Sequence, residues 1–283
     1  MPPFVISIQS QVVYGHVGNS AALFPMQAAG LEVAMIPTVV FSNTPDYPTL
    51  RGRALPDDFF ADLLLGATER ALARKAQFIM SGYIGSVGVA RQTARFIAQA
   101  KAENPDLVYL CDPVLGDTKP GLYVPAEIAR VMQDELLPLA DIATPNPFEL
   151  EWLTGHTITS MADLARAYRD LGLGHGAQLI ATGCSLSDTP AGQIESVVMT
   201  PDTTTRHPTP HLPMAKAGTG DLFAALVITA LAHARPLAKA VDFAQTLTGR
   251  ALAHAEHLGR DEVVLSEPGF RAQLLALGRD TAQ

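Results

Sequence analysis

Short apolar runs alternating with longer helical patterns constrain this chain more than any other feature of it. Residues 4–8, 33–40, 77–80, 107–111, 141–143, 177–181 and 194–199 read as strands, and residues 20–29, 57–74, 88–102, 125–137 and 161–171 read as the helices between them. Strand runs that are apolar throughout belong to a mainly parallel sheet buried on both faces. The pattern therefore predicts an α/β fold, a three-layer sandwich with helices on both sides of the central sheet. The last third changes character. A passage rich in Thr, Pro and His, residues 200–213, precedes a glycine turn and two helices, 221–234 and 237–258. No linker, charge block or internal repeat divides the chain, so residues 1–283 are expected to form a single domain.

Composition narrows the classes of ligand. With 48% hydrophobic and 17% charged residues, the chain reads as a soluble protein with a large core. A net charge of −8 argues against nucleic acid as a partner, and a polyanionic ligand must be held by local donors or a metal. The opening Met-Pro-Pro-Phe-Val-Ile-Ser-Ile lacks the basic start of a signal peptide. The apolar segment 222–232 falls short of the roughly 20 residues that a membrane span needs. Cys111 and Cys184 lie in strand-like runs and read as buried thiols of a reducing, cytoplasmic protein.

In open α/β sheets, ligands bind beyond the carboxyl ends of the strands. The chemically interesting residues fall there. Ser10 follows the first strand, residues 41–47 the second and Tyr83 the third. Asp112 and Asp117 follow the fourth, residues 144–149 the fifth, and Thr182 and Gly183 the sixth. The most telling stretch is Ala-Lys-Ala-Gly-Thr-Gly-Asp-Leu-Phe-Ala-Ala-Leu, residues 215–226. Gly218, Thr219 and Gly220 form a turn that opens a helix, whose free N–H groups make an anion site. The spacing and the missing lysine exclude a P-loop. Asp221, beside that nest, suits a base that takes a proton from an attacking hydroxyl. The helix macrodipole alone would also favour an Asp in a first turn.

Two loops add oxygen donors. Cys-Asp-Pro-Val-Leu-Gly-Asp (111–117) carries two carboxylates, and Thr-Pro-Asn-Pro-Phe-Glu (144–149) carries Asn146 and Glu149 at capping-box spacing. The same residues, with Asp112, could instead hold a hard cation such as Mg2+, which takes a few oxygen ligands together with waters and phosphates. The residues alone leave both readings open.

These segments, with Ser-Ile-Gln-Ser (7–10), Gly-His-Val-Gly-Asn-Ser-Ala-Ala (15–22), Phe-Ser-Asn (41–43) and Ser-Gly-Tyr (81–83), resemble the pyridoxal kinases of the ribokinase-like superfamily. The resemblance runs from about Val5 to Ala232 and implies ATP-dependent phosphorylation of the 5′-hydroxymethyl group of pyridoxal, with pyridoxine and pyridoxamine as further acceptors. It implies Asp221 as the base and Gly218, Thr219 and Gly220 as the anion hole. Ser10 would bind the polar edge of the pyridine, with Val17, Phe41 and Tyr83 around it. Asp112, Asn146 and Glu149 would organise Mg2+, with Asp117, Tyr123 and Thr144 near the phosphates. Thr182, Gly183 and His207 would meet the nucleotide, and a homodimer is implied as well.

The chain departs from the family at Pro45, where a threonine that helps bind the acceptor usually stands. Pro45 has neither hydroxyl nor N–H, which leaves Thr44 and Asp46 as the polar candidates. The short segment from His207 to Asp221 implies a reduced flap over ATP. A hydroxymethylpyrimidine kinase of the same fold is the runner-up. A sugar kinase lacks its first-loop carboxylate here. A non-catalytic protein that binds pyridoxal phosphate or nucleotide would be expected to have lost Asp221, Asp112 or Glu149. Gly172, Gly174 and Gly176 leave a helix and enter a strand, so they read as a plain turn. His254 and His257 have no third ligand nearby, His16 is either a site wall or loop packing, and Trp152 reads as a core anchor.

Overall fold

The computed structural model describes residues 2–119, 121–212 and 216–280. The first strand, β1 (Phe4–Val12), leads through α1 (Asn19–Ala28) into β2 (Glu32–Phe41) and a short β3 (Gly52–Ala54). Then follow α2 (Asp57–Glu69), α3 (Leu72–Lys75), β4 (Phe78–Ser81), α4 (Val87–Glu103) and β5 (Val108–Cys111). A small hairpin, β6 (Gly116–Asp117) and β7 (Gly121–Leu122), rises beyond β5. It is followed by α5 (Ala126–Val131), β8 (Ile142–Ala143), α6 (Pro147–Thr154), α7 (Met161–Asp170) and β9 (Gln178–Cys184). The chain continues through β10 (Gln193–Met199), β11 (Thr204–Pro210), α8 (Thr219–Ala232), α9 (Leu237–His257) and α10 (Pro268–Asp280).

Nine strands form one sheet in the order β11-β10-β9-β8-β5-β4-β1-β2-β3. The six from β9 to β2 run parallel, while β10, β11 and β3 are antiparallel additions at the edges. From β1 the chain goes to β2 on one side and to β4 on the other, so the carboxyl ends of these strands open a crevice at a topological switch point.

Successive strand residues face opposite layers, which is why these runs are apolar without alternation. Ile6, Ile8, Ile79 and Tyr109 pack against Phe60 of α2, Ile97 of α4, Leu150 of α6 and Leu164 of α7. Val5, Met80, Leu110 and Ile180 pack on the other side against Met26 of α1, the apolar face of α8, Leu247 of α9 and Phe270 of α10. The predicted three-layer α/β sandwich is thereby observed.

The differences from expectation have local causes. The helix expected over 57–74 breaks at Ala71, which takes φ 50°. Beyond the break, Asn104 at the end of α4 donates to the carbonyls of Ala73 and Ala76 and holds the chain in its new direction. The helix expected over 125–137 loosens after Val131 into a π turn, Met132–Leu136. Part of the Thr/Pro/His passage is β11. It sits at the sheet edge, where Pro208 and Pro210 forfeit no ladder donor that a central strand would need. Residues 213–215, at the end of that passage and the start of the glycine-turn motif, lie outside the described residues. The helix α10 was not foreseen, though Phe270, Leu274 and Leu277 give it a buried stripe.

Candidate active site

The crevice is built around the start of α8. Gly218 adopts φ 81°, and a Cβ there would lie 1.8 Å from the His16 carbonyl oxygen, so only glycine fits. No side chain caps α8, and Leu222 N–H closes the first turn onto Gly218 O at 2.9 Å. The Thr219 hydroxyl turns back to Lys216 O at 2.6 Å. This leaves the helix N-terminus as an anion cradle formed by Gly218, Thr219 and Gly220. Asp221 sits in the same turn with Oδ1 buried and without a hydrogen-bond partner. Burial pushes its carboxyl up, and the nearby Gly18 backbone pulls it partly back.

Asp112, at the end of β5, is buried beside it. Burial first, then the Asp221 carboxylate, pushes Asp112 up to about 8, while the adjacent Thr144 lowers it slightly. A Cβ on Gly220 would come within 3.7 Å of Asp112 Oδ2, so the glycine turn and the β5 loop face each other closely. The Thr144 hydroxyl is buried with no fixed partner. Two carboxyls whose ionised forms are disfavoured, next to an open cradle of N–H groups, form a site poised for a cation and an anion together.

The structure builds the capping box at Asn146 and Glu149. Asn146 Oδ1 accepts from Glu149 N–H at 2.9 Å, and Glu149 Oε2 accepts from Asn146 N–H at 2.9 Å. Glu149 Oε1 accepts from Leu115 N–H at 2.9 Å, and Asn146 Nδ2 donates to Gly116 O at 2.9 Å. These bonds tie α6 to the loop that carries Asp112 and Asp117. The capping reading of Asn146 and Glu149 is thus the one built into the fold, with both side chains facing the loop of Asp112. Burial and Asp112 push the Glu149 carboxyl up, against the pull of its backbone donors. Among the described residues no three His, Cys, Asp or Glu side chains gather as a metal-holding group. Asp112, Thr144 and the phosphates of a ligand do supply the oxygen set that Mg2+ prefers, with water filling the rest.

At the other wall, the pairing of β1 with β2 slips between Gln9 and Gln11, so Ser10 lies on a bulge at the strand end. A Cβ on Gly18 would meet Ser10 Oγ at 2.2 Å, which places the loop after β1 against the serine. Behind it, Ser7, Gln9 and Asn19 form a buried polar network, with Ser7 Oγ donating to Asn19 Oδ1 at 2.7 Å. Val17, Phe41 and Tyr83 are half-buried. The Tyr83 carbonyl accepts from Thr38 at 2.6 Å.

Thr44 is buried with its hydroxyl unpartnered, and Pro45 and Asp46 are exposed. Burial, with Asp261 and Glu262, raises the Asp46 carboxyl. Tyr123, pushed up to about 12 by burial, also feels Asp117, Glu149 and Asp46, so the hairpin side and the Asp46 loop approach one another. Thr182 is held by its N–H to Pro145 O at 2.9 Å, and Gly183 takes φ 63° next to it.

His207 is not an open wall for a nucleotide. Its ring is buried on β11, with Nδ1 2.7 Å from Asp242 Oδ1 of α9 and Nε2 2.8 Å from Thr205 Oγ1, so it latches strand to helix. His16 is half-buried, and burial lowers its imidazole. Gly172 and Gly176 have φ 76° and 78°, as the plain turn requires. Trp152 packs against the core. Sequence reasoning missed Glu262, a fully buried carboxylate whose short segment forms a parallel bridge with Ala217 just before the glycine turn. Its only signal was the apolar Val-Val-Leu run that follows it.

Comparison with known proteins bears on the family and the fold. The family model described as phosphomethylpyrimidine kinase matches residues 73–266. A pyridoxine/pyridoxal/pyridoxamine kinase of Bordetella bronchiseptica is 38% identical over 268 residues, covering 95% of both chains. A pyridoxal kinase PdxY of Granulibacter bethesdensis is 38% identical over 228 residues, covering 79% of this chain and 80% of that one. Among solved structures, the pyridoxal kinase of Leishmania donovani in complex with ADP and pyridoxamine superposes with a TM-score of 0.85 at 29% identity. That match covers 96% of this chain and 95% of the other.

Proposed function

The chain belongs to the pyridoxal kinases of the phosphomethylpyrimidine kinase family, and from that premise we propose that it transfers the γ-phosphoryl group of ATP to the 5′-hydroxymethyl of pyridoxal, with pyridoxine and pyridoxamine as further acceptors, in vitamin B6 salvage. The observation that carries this reading is Asp221: a buried, unpartnered carboxylate oxygen at the uncapped start of α8. Oδ1 takes the proton of the acceptor hydroxyl, whose oxygen then bonds the γ-phosphorus as the bond to the β–γ bridging oxygen breaks and ADP leaves. Its raised carboxyl makes Asp221 a stronger base than an exposed aspartate. The N–H groups of the 218–220 turn stabilise the transferring phosphoryl group, where charge spreads during the reaction.

Ser10 orients the pyridine edge within the wall of Val17, Phe41 and Tyr83, and Thr44 and Asp46 take the part of the missing threonine beside Pro45. Asp112 would hold Mg2+, with Thr144 and Asp117 beside it. Asn146 and Glu149 act by fixing the Asp112 loop. Bound Mg2+ would neutralise phosphate charge. Thr182, Gly183 and Tyr123 line the nucleotide side. The whole chain, 1–283, acts as a single ribokinase-like domain, since one sheet runs from Phe4 to Pro210. Use of ATP and two buried free thiols fit a cytoplasmic protein. Exposed Val13, Tyr14, Met35 and Val40 offer an apolar surface for the homodimer that the resemblance implies, a state that light scattering can test.

A steady-state assay with Mg·ATP and pyridoxal, pyridoxine, pyridoxamine or hydroxymethylpyrimidine tests the reading, with Asp221→Ala as control. Turnover of the B6 vitamers, lost in the variant, supports it. Turnover of the pyrimidine alone transfers the assignment to the runner-up, and binding without turnover makes the protein a carrier.

A further inference from the structure

Glu262 has no assigned task, yet its side chain is fully buried and faces the loop that joins β1 to the site. Its Oε2 accepts from His16 N–H at 3.2 Å, and its Oε1 accepts from Arg260 Nη2 at 2.8 Å and from the Tyr47 hydroxyl at 3.4 Å. The backbone around it is pinned to the approach of the glycine turn: Ala217 N–H donates to Asp261 O at 3.1 Å, and Val263 N–H donates to Ala217 O at 3.0 Å. Gly15 has φ 103°, and a Cβ there would fall 2.0 Å from Glu262 Oε2, so the carboxylate lies directly on the loop backbone.

That loop meets the site at His16 and again at Gly18. The His16 carbonyl oxygen lies where a side chain on Gly218 would begin. Two residues on, Gly18 abuts Ser10, and its backbone faces the Asp221 carboxyl closely enough to lower it. Through Tyr47, the same carboxylate reaches the loop that carries Thr44 and Asp46. Tyr47 packs edge-on against Tyr14, whose ring and hydroxyl are held by Arg260, the hydroxyl at 2.7 Å. The Glu262 side chain is fully buried while Arg260 stays 37% exposed, so the cost of desolvating the carboxylate offsets much of the attraction between them. What the carboxylate does accomplish is geometric, since a single group fixes the acceptor loop, the 15–18 loop and the strand before the anion hole.

We propose that Glu262 is a positioning residue for phosphoryl transfer, holding the 15–18 loop so that the His16 carbonyl seats the Gly218 turn and Gly18 keeps its place between Ser10 and the Asp221 carboxyl. This rests on the reading of the site as a kinase centre. A misplacement of about 1 Å at a reacting group can cost about 10²-fold in rate, and that sets the scale of the effect.

The test compares the wild type with Glu262→Ala, Glu262→Gln and Asp141→Ala. Asp141 lies at the amino end of β8, opposite the site, where it accepts from Lys101 Nζ at 2.6 Å and Tyr109 N–H at 2.7 Å, so it reports general destabilisation. In Glu262→Ala, kcat falls about 10²-fold while KM for Mg·ATP stays within about twofold. Glu262→Gln keeps an oxygen for His16 N–H and loses only about three- to tenfold in kcat. Asp141→Ala lowers Tm with kcat unchanged. In amide NMR the Gly18 resonance moves in Glu262→Ala and stays in place in Asp141→Ala.

A folded Glu262→Ala protein with kcat within about threefold of the wild type overturns the proposal, as does a loss of kcat that tracks Tm equally in Asp141→Ala. If Glu262→Ala does not fold, Glu262→Gln decides. A reduced kcat at unchanged KM for Mg·ATP supports the proposal, and wild-type kcat overturns it. An inactive wild type removes the kinase reading and the proposal with it, a result distinct from an active wild type with active variants.

Discussion

Replacing Asp112 by asparagine should make the ligand-free protein more stable while removing most of its activity. The Asp112 carboxyl is buried beside Asp221, and its pKa rises from 3.8 to about 8, burial being the larger cause. At 1.36 kcal/mol per pKa unit, keeping that group ionised above pH 8 would cost about 6 kcal/mol in a rigid, dry site. Local relaxation and water entry shrink the cost and the pH window together, so the net effect is at least about 2 kcal/mol and grows toward about 6 kcal/mol as the window fills out to about pH 8.

The folded chain holds this proton between about pH 4 and 8 while the unfolded chain has released it. Wild-type stability therefore falls as pH rises through that window and levels off above it. Asparagine has no proton to lose. The difference between the variants should be near zero below about pH 4, grow to pH 8 and then plateau. Urea unfolding from pH 5 to 9, in EDTA and without nucleotide, measures it directly. At pH 8.5 a gain of about 2 kcal/mol corresponds to roughly 4 °C in Tm for a chain of this size. A pH-independent difference, or an asparagine variant less stable than the wild type at pH 8.5, would refute the argument. It would mean that the carboxylate is stabilised by groups other than those named here.

Three other outcomes follow from single positions. Asp221→Ala, tested with saturating Mg·ATP and pyridoxal, should lower kcat by about 10³-fold or more, because the only base at the helix start is removed; a loss under tenfold would assign the proton transfer elsewhere. Gly218→Ala places a methyl 1.8 Å from His16 O at φ 81°, so the turn must open; kcat should collapse and Tm should fall. Pro45→Thr restores a hydroxyl at the mouth of the acceptor site. It should raise kcat/KM for pyridoxal relative to hydroxymethylpyrimidine by roughly fivefold, the worth of one hydrogen bond, and an unchanged ratio would show that Thr44 or Asp46 already fills the role.

The legible part of the site was the part written in contiguous residues. Gly218, Thr219, Gly220 and Asp221 announce a turn, a helix start and a carboxylate within four positions, and the structure keeps all four in one turn. Asn146 and Glu149 were legible as a pair with two readings, and the bond directions show the capping box built: Leu115 N–H and Asn146 N–H both donate to the Glu149 carboxylate. The tie between the His207 ring and Asp242 was not legible, because nothing local signals that a residue on a helix further along the chain will bond it. Glu262 is the same case in reverse. An acidic residue before a short apolar run looks like surface, and only the return of the chain from α9 brings it under the loop of residues 15–18.

By itself, then, the order of residues determined the layered α/β architecture, the crevice at the carboxyl ends of the strands, and the chemistry at the start of α8. Those depend on periodicity and on groups a few positions apart, which local sterics and burial decide. The tertiary structure alone decided how ionised Asp112 and Asp221 are, whether Asn146 caps or ligates, and what holds the 15–18 loop. Each of these depends on groups from separate elements, 30 residues apart for Asn146 and Gly116 and 246 for His16 and Glu262, and those energies exist only once the sheet has closed around them.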